Sequence, residues 1–199
     1  IGNFRPAEVW GPSGAASWRP TRAVERMRQA LLEAGISLHE VGRGGAVCLS
    51  GARIVPLNPP AAGSAMGGDN EGSMVLMIRA SGRKALLMGD AGQEAETAIA
   101  GLLDAADLLK VGHHGSRSAS STPFLERVKP RVAVISCGHG NPFNHPHPDT
   151  LSRLERSRCR LWRTDRDGAV AVELLPRGTR VVTYGAAGGP PLRTRKGAE

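Results

Sequence analysis

Two adjacent histidines in a glycine-framed turn constrain this chain more than any other feature. His113 and His114 stand between two glycines, directly after an apolar stretch that predicts a buried strand. Upstream, the apolar stretch 85–88 runs into Gly89 and Asp90. Glycine permits the sharp turns that aim side chains into a cleft, and histidine is the commonest metal ligand. An aspartate and a histidine pair at two strand ends therefore predict part of a metal site.

Each of these residues also has an ordinary structural interpretation. Asp90 precedes a predicted helix and would serve well as its N-cap. A lone histidine is more often a surface or core residue than a ligand. Five of the six histidines, however, lie between positions 113 and 147. This clustering after strand ends favours a metal site, with Asp90, His113 and His114 as candidate ligands; a carboxylate can bridge two divalent ions.

Apolar periodicity and turn residues predict a mixed α/β chain. Helices are predicted at 21–34, 92–103, 122–130 and 148–157, and strands at 7–10, 46–49, 53–57, 73–80, 84–88, 107–111, 131–136, 160–163, 169–174 and 179–184. Ser81-Gly82 predicts a hairpin turn, and Thr122 is expected to cap its helix. We expect one partial domain over 1–184 and a flexible basic tail over 185–199.

Composition narrows the function classes. The 199 residues suffice for one domain, and no apolar run approaches the roughly 18 residues of a membrane span. The net charge of +8 suits a polyanionic partner such as nucleic acid, although arginine-rich composition explains it equally well. The three cysteines form no Cys-x-x-Cys pair, so they indicate neither a thiolate zinc site nor a disulfide framework.

Two polar loops are candidates for phosphate binding and proton transfer. Ser116 and Arg117 follow the histidine pair, and hydroxyl and guanidinium groups suit phosphate oxygens. Asn144, His145 and His147 lie in a proline-rich segment at a predicted helix start, where anions are favoured and either histidine could protonate a leaving oxygen. An ordinary polar loop and a structural turn remain the alternatives.

Taken together, the motifs resemble the C-terminal part of the metallo-β-lactamase-fold domain of ComEC-type competence (DNA-uptake) proteins. The matching stretches are 69–73, 86–90, 107–116, 124–130, 132–136, 145–148 and 163–168. The His-His-Gly-Ser element is shared with other hydrolases of the fold. Its combination with His-Pro-His and Arg-Thr-Asp is more specific.

The resemblance implies an αββα sandwich with two divalent ions, Zn or Mn, at the edge of its sheets. It implies that Asp90 bridges the ions, that His113 or His114 is a terminal ligand, and that Asp90, His114, His145 and His147 take part in catalysis. The substrate would be a phosphodiester such as DNA. The domain would be joined to a membrane channel, on the extracytoplasmic side of the inner membrane, and would use no small-molecule cofactor.

The chain also departs from that family's pattern. Its strongest signature, His-x-His-x-Asp-His, is absent from the 199 residues, so we expect the N-terminal part of the domain to be missing and the chain alone to bind metal weakly with little activity. Phe143 and Asn144 stand where tyrosine and glycine are common. Two other functions stay open: a non-catalytic basic DNA-binding or docking module, and a hydrolase of another phosphodiester.

Overall fold

The architecture centres on a seven-stranded sheet in the computed structural model, which describes residues 6–12, 21–60 and 70–185, and the backbone of 193–195. In chain order the strands are β1 (Glu8–Pro12), β2 (Ser37–Val41), β3 (Val47–Leu49), β4 (Ala52–Asn58), β5 (Val75–Ala80), β6 (Arg83–Leu87), β7 (Leu108–Lys110), β8 (Val132–Ile135), β9 (Arg160–Arg163), β10 (Ala169–Leu175), β11 (Gly178–Tyr184) and β12 (Arg193–Arg195).

Short helices connect the strands. They are α1 (Arg22–Glu33), α2 (Gln93–Ile99), α3 (Thr122–Val128), α4 (Pro148–Arg156) and α5 (Thr164–Asp167), with single 3-10 turns at Ala100–Leu102 and Gly112–Gly115. Proline stands in the first turn of α3 and α4, where its fixed φ suits a helix and its missing N–H costs nothing. None of the helices in the described ranges is long and apolar enough to cross a bilayer.

The large sheet runs in sequence order from β3 to β9 and changes character at β6. The pairs from β3 to β6 are antiparallel, and the pairs from β6 to β9 are parallel. Parallel neighbours require crossover connections, which α2, α3 and α4 supply. The carboxyl ends of β6, β7, β8 and β9 consequently meet at one edge, which we call the carboxyl edge.

The core lies between one face of this sheet and the three crossover helices. Leu86, Leu109 and Ala133 share a register row on adjacent strands, and all are buried. Helix residues of the same cluster, including Ile99 and Leu154, cover them. The strands of the carboxyl edge are therefore held by apolar burial, independently of the polar residues that follow them.

Two smaller sheets accompany the large one. The strands β1 and β2 pair in parallel, and β10, β11 and β12 form an antiparallel sheet. Arg83 at the start of β6 donates to the carbonyl oxygens of Leu175, at 3.2 Å, and Pro176, at 2.9 Å. The turn between β10 and β11 is thereby tied to the large sheet.

Most predicted elements are present with shifted ends, and the Ser81-Gly82 hairpin is confirmed. The strand β2 was not predicted, because its residues are mostly exposed and lack an apolar face. Ser121, not Thr122, is the N-cap of α3, and Thr122 is its first helical residue. Of the predicted tail, the structure describes Gly185 and the backbone of Arg193–Arg195; its flexibility stays a prediction.

Candidate functional site

Asp90 and His114 face each other at the carboxyl edge. Asp90 follows β6 and His114 follows β7, and their Oδ1 and Nε2 atoms lie 3.4 Å apart with both side chains about half exposed. The N-cap of α2 is Gly92, so Asp90 is not the cap of that helix. The alternative role of Asp90 as a helix cap is therefore excluded.

The tautomer of His114 follows from its second partner. Its Nδ1 lies 2.7 Å from the carbonyl oxygen of Ser136, which can only accept, so Nδ1 carries the proton. The lone pair of Nε2 then faces the carboxylate of Asp90. A carboxylate oxygen and an imidazole nitrogen at this separation can hold a cation between them.

His113 takes a different direction from its neighbour. Both histidines adopt positive φ, 42° for His113 and 51° for His114, which is uncommon outside glycine and is found at functional sites. The ring of His113 lies 5.6 Å from that of His145 at 80°, and its Nε2 is 3.5 Å from Nδ2 of Asn70. Two histidines adjacent in sequence thus have different partners at one edge.

Glycines allow the loops of this edge to approach closely. A Cβ on Gly112 would overlap the carbonyl oxygen of Ala91 and lie 3.2 Å from the Cβ of Met88. A Cβ on Gly115, which has φ +80°, would lie 2.7 Å from the Cβ of Pro146. The loops that carry Asp90, the histidine pair and the His-Pro-His segment are packed so closely that a side chain at either glycine would clash.

Burial and neighbouring charges change the pKa values of two groups at the carboxyl edge, Lys110 and His145. Burial lowers the pKa of Lys110, whereas the charge of Asp90 acts in the opposite direction. Burial lowers the pKa of His145 as well, and the neighbouring His113, His114 and His147 add to this effect. His145 is therefore favoured in its neutral form, with one nitrogen able to accept a proton.

His147 is placed beside the edge but has a structural partner. It is the N-cap of α4, and its Nδ1 lies 3.1 Å from the amide of Asp149. Its Nε2 lies 3.2 Å from Nε of Arg117. A neutral imidazole has one acceptor nitrogen, so only one of these contacts is a hydrogen bond at a given time. Arg117 also pairs with Asp149, at 3.2 Å.

The other predicted phosphate ligands differ in accessibility. Arg117 is exposed, whereas Ser116 is buried and its hydroxyl lies 3.2 Å from that of Ser118. Asn144 is exposed at positive φ, 53°, in the loop before His145. Arg117 and Asn144 can meet a ligand as they stand, and Ser116 can do so only after a rearrangement.

Comparison with known proteins places this edge in a family. The Metallo-beta-lactamase superfamily profile matches residues 57–139, which include Asp90 and both histidines of the pair. Over 148 residues, 73% of the chain, it is 34% identical to ComE operon protein 3 of Bacillus subtilis. It is 38% identical over 54% of its length to Recombination protein 2 of Haemophilus influenzae, and 36% identical over 51% to Competence protein ComA of Neisseria gonorrhoeae.

The chain belongs to the metallo-β-lactamase superfamily, and the relatives that it matches are ComEC-type competence proteins. This confirms the recognised family and, with the α/β architecture, the predicted fold class. The chain spans 19%, 14% and 15% of the lengths of these three relatives, respectively.

Metallo-β-lactamase domains usually bind divalent metals, and the residues at the carboxyl edge meet that requirement in part. Asp90 and the Nε2 of His114 fit two ligand positions, because their acceptor atoms converge and the ring is oriented from behind by Ser136. Within the described ranges no three His, Cys, Asp or Glu side chains converge as a metal site would require. A catalytic zinc site has three protein ligands and an open position.

Sequence reasoning missed the residues that hold the loop after the histidines. The buried carboxylate of Glu96 accepts from the amides of Ser120 and Ser121, and Arg153 donates to the carbonyl oxygens of Arg117, Ala119 and Ser120. An acidic residue on a helix and an arginine on another carry no sequence signal for such a role. Their partners are backbone atoms, which are the same in every residue and so leave no pattern in a sequence.

A second cluster follows β8 and β9, and it contains the Arg-Thr-Asp motif, to which the sequence assigned no contacts. Arg163 forms a bidentate pair with Asp165, at 3.0 and 2.5 Å, and the Cys137 thiol donates to the same carboxylate at 3.2 Å. Thr164 bonds both the amide and the carbonyl of Cys137 at 2.8 Å. The Arg-Thr-Asp motif thus closes the edge beside the His114 partner Ser136.

Proposed function

We propose that this chain is part of a metal-dependent phosphodiesterase that acts on DNA within a DNA-uptake protein. The observation that carries the proposal is the approach of the Asp90 carboxylate to within 3.4 Å of Nε2 of His114, in a ring oriented by Ser136. Two relatives, whose names refer to recombination and to competence, support DNA as the substrate class. The net charge of +8 suits the same polyanion.

Each residue of the edge has a role in this proposal. Asp90 and His114 would hold a divalent ion, Zn or Mn, with His113 as a further candidate ligand and Asp90 bridging where two ions bind. A divalent ion supplies activation of water and neutralisation of phosphate charge. His145, favoured in its neutral form, and His147 would transfer protons at the phosphodiester. Ser116, Arg117 and Asn144 would position phosphate oxygens.

The described ranges supply only a partial ligand set, so we predict that the 199-residue chain binds metal weakly and turns DNA over slowly or not at all. We further propose that the domain works beside a membrane channel of the same protein, on the extracytoplasmic side of the inner membrane. The support is its resemblance to competence proteins and its match to less than a fifth of ComE operon protein 3.

A non-catalytic alternative is favoured by two observations. The described residues contain no complete metal cluster, and the charge of +8 alone supports binding to a nucleic-acid backbone. In that case the chain would be a basic DNA-binding or docking module. DNA binding would then survive the loss of Asp90 and His114.

Binding of Mn²⁺, followed by the loss of its free-ion electron paramagnetic resonance signal, tests the metal site. We expect weak binding by the 199-residue chain and its loss in Asp90→Asn and in His114→Gln. Asp104→Asn is the matched control, because Asp104 is exposed, pairs with Lys84 and lies away from the carboxyl edge. Binding that all three variants retain would refute the metal site.

DNA binding measured over a range of salt concentrations separates the two functions. Salt-sensitive binding that persists in Asp90→Ala and His114→Ala, together with no Mn²⁺ binding, would support the docking module. Turnover of DNA with Mn²⁺ by the 199-residue chain, abolished in Asp90→Ala, would establish the phosphodiesterase. That second result would also overturn our prediction that this chain alone has little activity.

A further inference from the structure

Phe143 stands out among the aromatic residues near the carboxyl edge. It is 73% exposed, although a phenylalanine side chain gains about 1.5–3 kcal/mol when it is buried. It lies in the loop between Ser136, the partner of His114, and the His-Pro-His segment. The large apolar ring therefore stays in solvent within the loop that borders the candidate metal residues.

The loop that carries Phe143 is held in shape by Asn141. The Nδ2 of Asn141 donates to the carbonyl oxygens of Gly138, at 2.9 Å, and His145, at 2.5 Å. Its Oδ1 accepts from the amide of His145 at 3.1 Å. Three side-chain bonds within eight residues fix the path of the backbone on both sides of the ring. The exposure of Phe143 is thus built into an ordered loop.

The ring borders a small cavity that opens at the carboxyl edge. The cavity has a volume of about 190 Å³, and its walls are His114, Cys137, Gly138, Asn141, Phe143 and His145. Drug-sized ligands occupy pockets of roughly 300–1,000 Å³, so this space suits a single ring system. The rings of Phe143 and His145 lie 6.0 Å apart and are tilted by only 32°. Both rings line the same cavity.

We infer that Phe143, with His145 beside it, forms a subsite that stacks one unpaired nucleobase of single-stranded nucleic acid. Base stacking on aromatic side chains is the usual device of proteins that bind single strands, and it tolerates any base. His114 is both a wall of the cavity and the partner of Asp90, so a stacked base has its phosphate next to the candidate metal residues. A base within a duplex is already stacked on its neighbours and cannot use this subsite.

The subsite rests on the proposed function, because it names the form of the substrate. It explains why an aromatic ring is exposed next to the carboxyl edge. Contacts to phosphate groups alone would not require such a ring. Backbone contacts position a nucleic acid through its charge, whereas a stacking platform responds to the presence of a base. That difference gives the experiment its two arms.

Fluorescence anisotropy without added divalent cation, on the 199-residue chain, tests the subsite with two probes. One probe is a short single-stranded oligothymidylate, and the other is an abasic deoxyribose-phosphate oligomer of the same length and charge. We expect Phe143→Ala to weaken binding of the oligothymidylate by about tenfold and to leave binding of the abasic oligomer unchanged. Phe143→Tyr should retain wild-type affinity for both, because tyrosine also stacks.

Tyr184→Ala is the matched control, since Tyr184 is an exposed aromatic residue at the end of β11. It should change neither affinity. If Phe143→Ala weakens both probes equally, or neither, the stacking subsite is wrong while the proposed function stands. If the wild-type chain binds neither probe, the proposed function and the subsite fall together.

Discussion

The carboxylate of Glu96 accepts a hydrogen bond from the amide of Ser120 at 2.5 Å, which joins α2 to the loop after the histidine pair. A second bond, from the amide of Ser121, is 2.9 Å long. Arg153 on α4 donates to the carbonyl oxygens of the same loop at 2.7–2.8 Å. A buried carboxyl group thus holds the amides and a guanidinium group holds the carbonyls, so the loop is fixed from both sides.

Replacing Glu96 with glutamine should destabilise the chain by about 1–3 kcal/mol, because the two backbone N–H groups bond two different oxygens and the amide would present its NH2 group to one of them. Burial raises the pKa of Glu96, against the opposing effects of its Ser121 and Ser120 bonds and of Arg153. A raised folded-state pKa favours folding at low pH and loses that contribution as pH rises through it.

Urea unfolding at several pH values measures this effect. The stability difference between wild type and Glu96→Gln should shrink as pH rises from below the usual glutamate range toward neutrality. A difference that grows with pH would show that the hydrogen bonds outweigh burial and that the pKa is lowered.

Gly112→Ala should destabilise the chain by about 1–3 kcal/mol or more, because its Cβ would overlap the carbonyl oxygen of Ala91. Gly101→Ala is the matched control, since nothing lies within 4 Å of a Cβ there. Thermal unfolding of both variants checks the expectation. Equal melting temperatures would mean that the close approach of the two loops is not required.

Cys137 should be slow to alkylate at neutral pH. Burial raises the pKa of its thiol to about 11, and the Asp165 carboxylate adds to the shift through a hydrogen bond and its charge. Exposed Cys48 is an internal reference. Peptide mass spectrometry after iodoacetamide treatment should show Cys48 modified first, and Asp165→Asn should speed the modification of Cys137. An unchanged Cys137 rate in that variant would contradict the assigned role of Asp165.

Arg117→Gln should weaken DNA binding and lower the salt-dependence slope of its affinity by about one unit, as the loss of one phosphate contact does. Arg117 is exposed at the carboxyl edge. Arg156→Gln removes the same charge at the far end of α4 and should leave the slope unchanged. Equal slopes for both variants would argue that charge acts without a defined contact.

The sequence anticipated the carboxyl edge because strand ends and turn glycines have local signatures. The apolar stretches before Asp90 and before the histidine pair predicted two buried strands, and their parallel pairing brings the two loops together. The direction of each histidine was beyond prediction, because it depends on two consecutive residues with positive φ and on the carbonyl of Ser136. Glu96 and Arg153 escaped notice because they bind backbone atoms far away in the chain.

The separation between buried strands and polar loops has a consequence for how such a domain can vary. Leu86, Leu109 and Ala133 fix the spacing of the strand ends without touching solvent. Asp90 and His114 are half exposed and contribute little to that burial. Residues at the carboxyl edge can therefore be substituted, and the chemistry of the site can change, without loss of the buried core. The distances between these positions are set by the spacing of the buried strands.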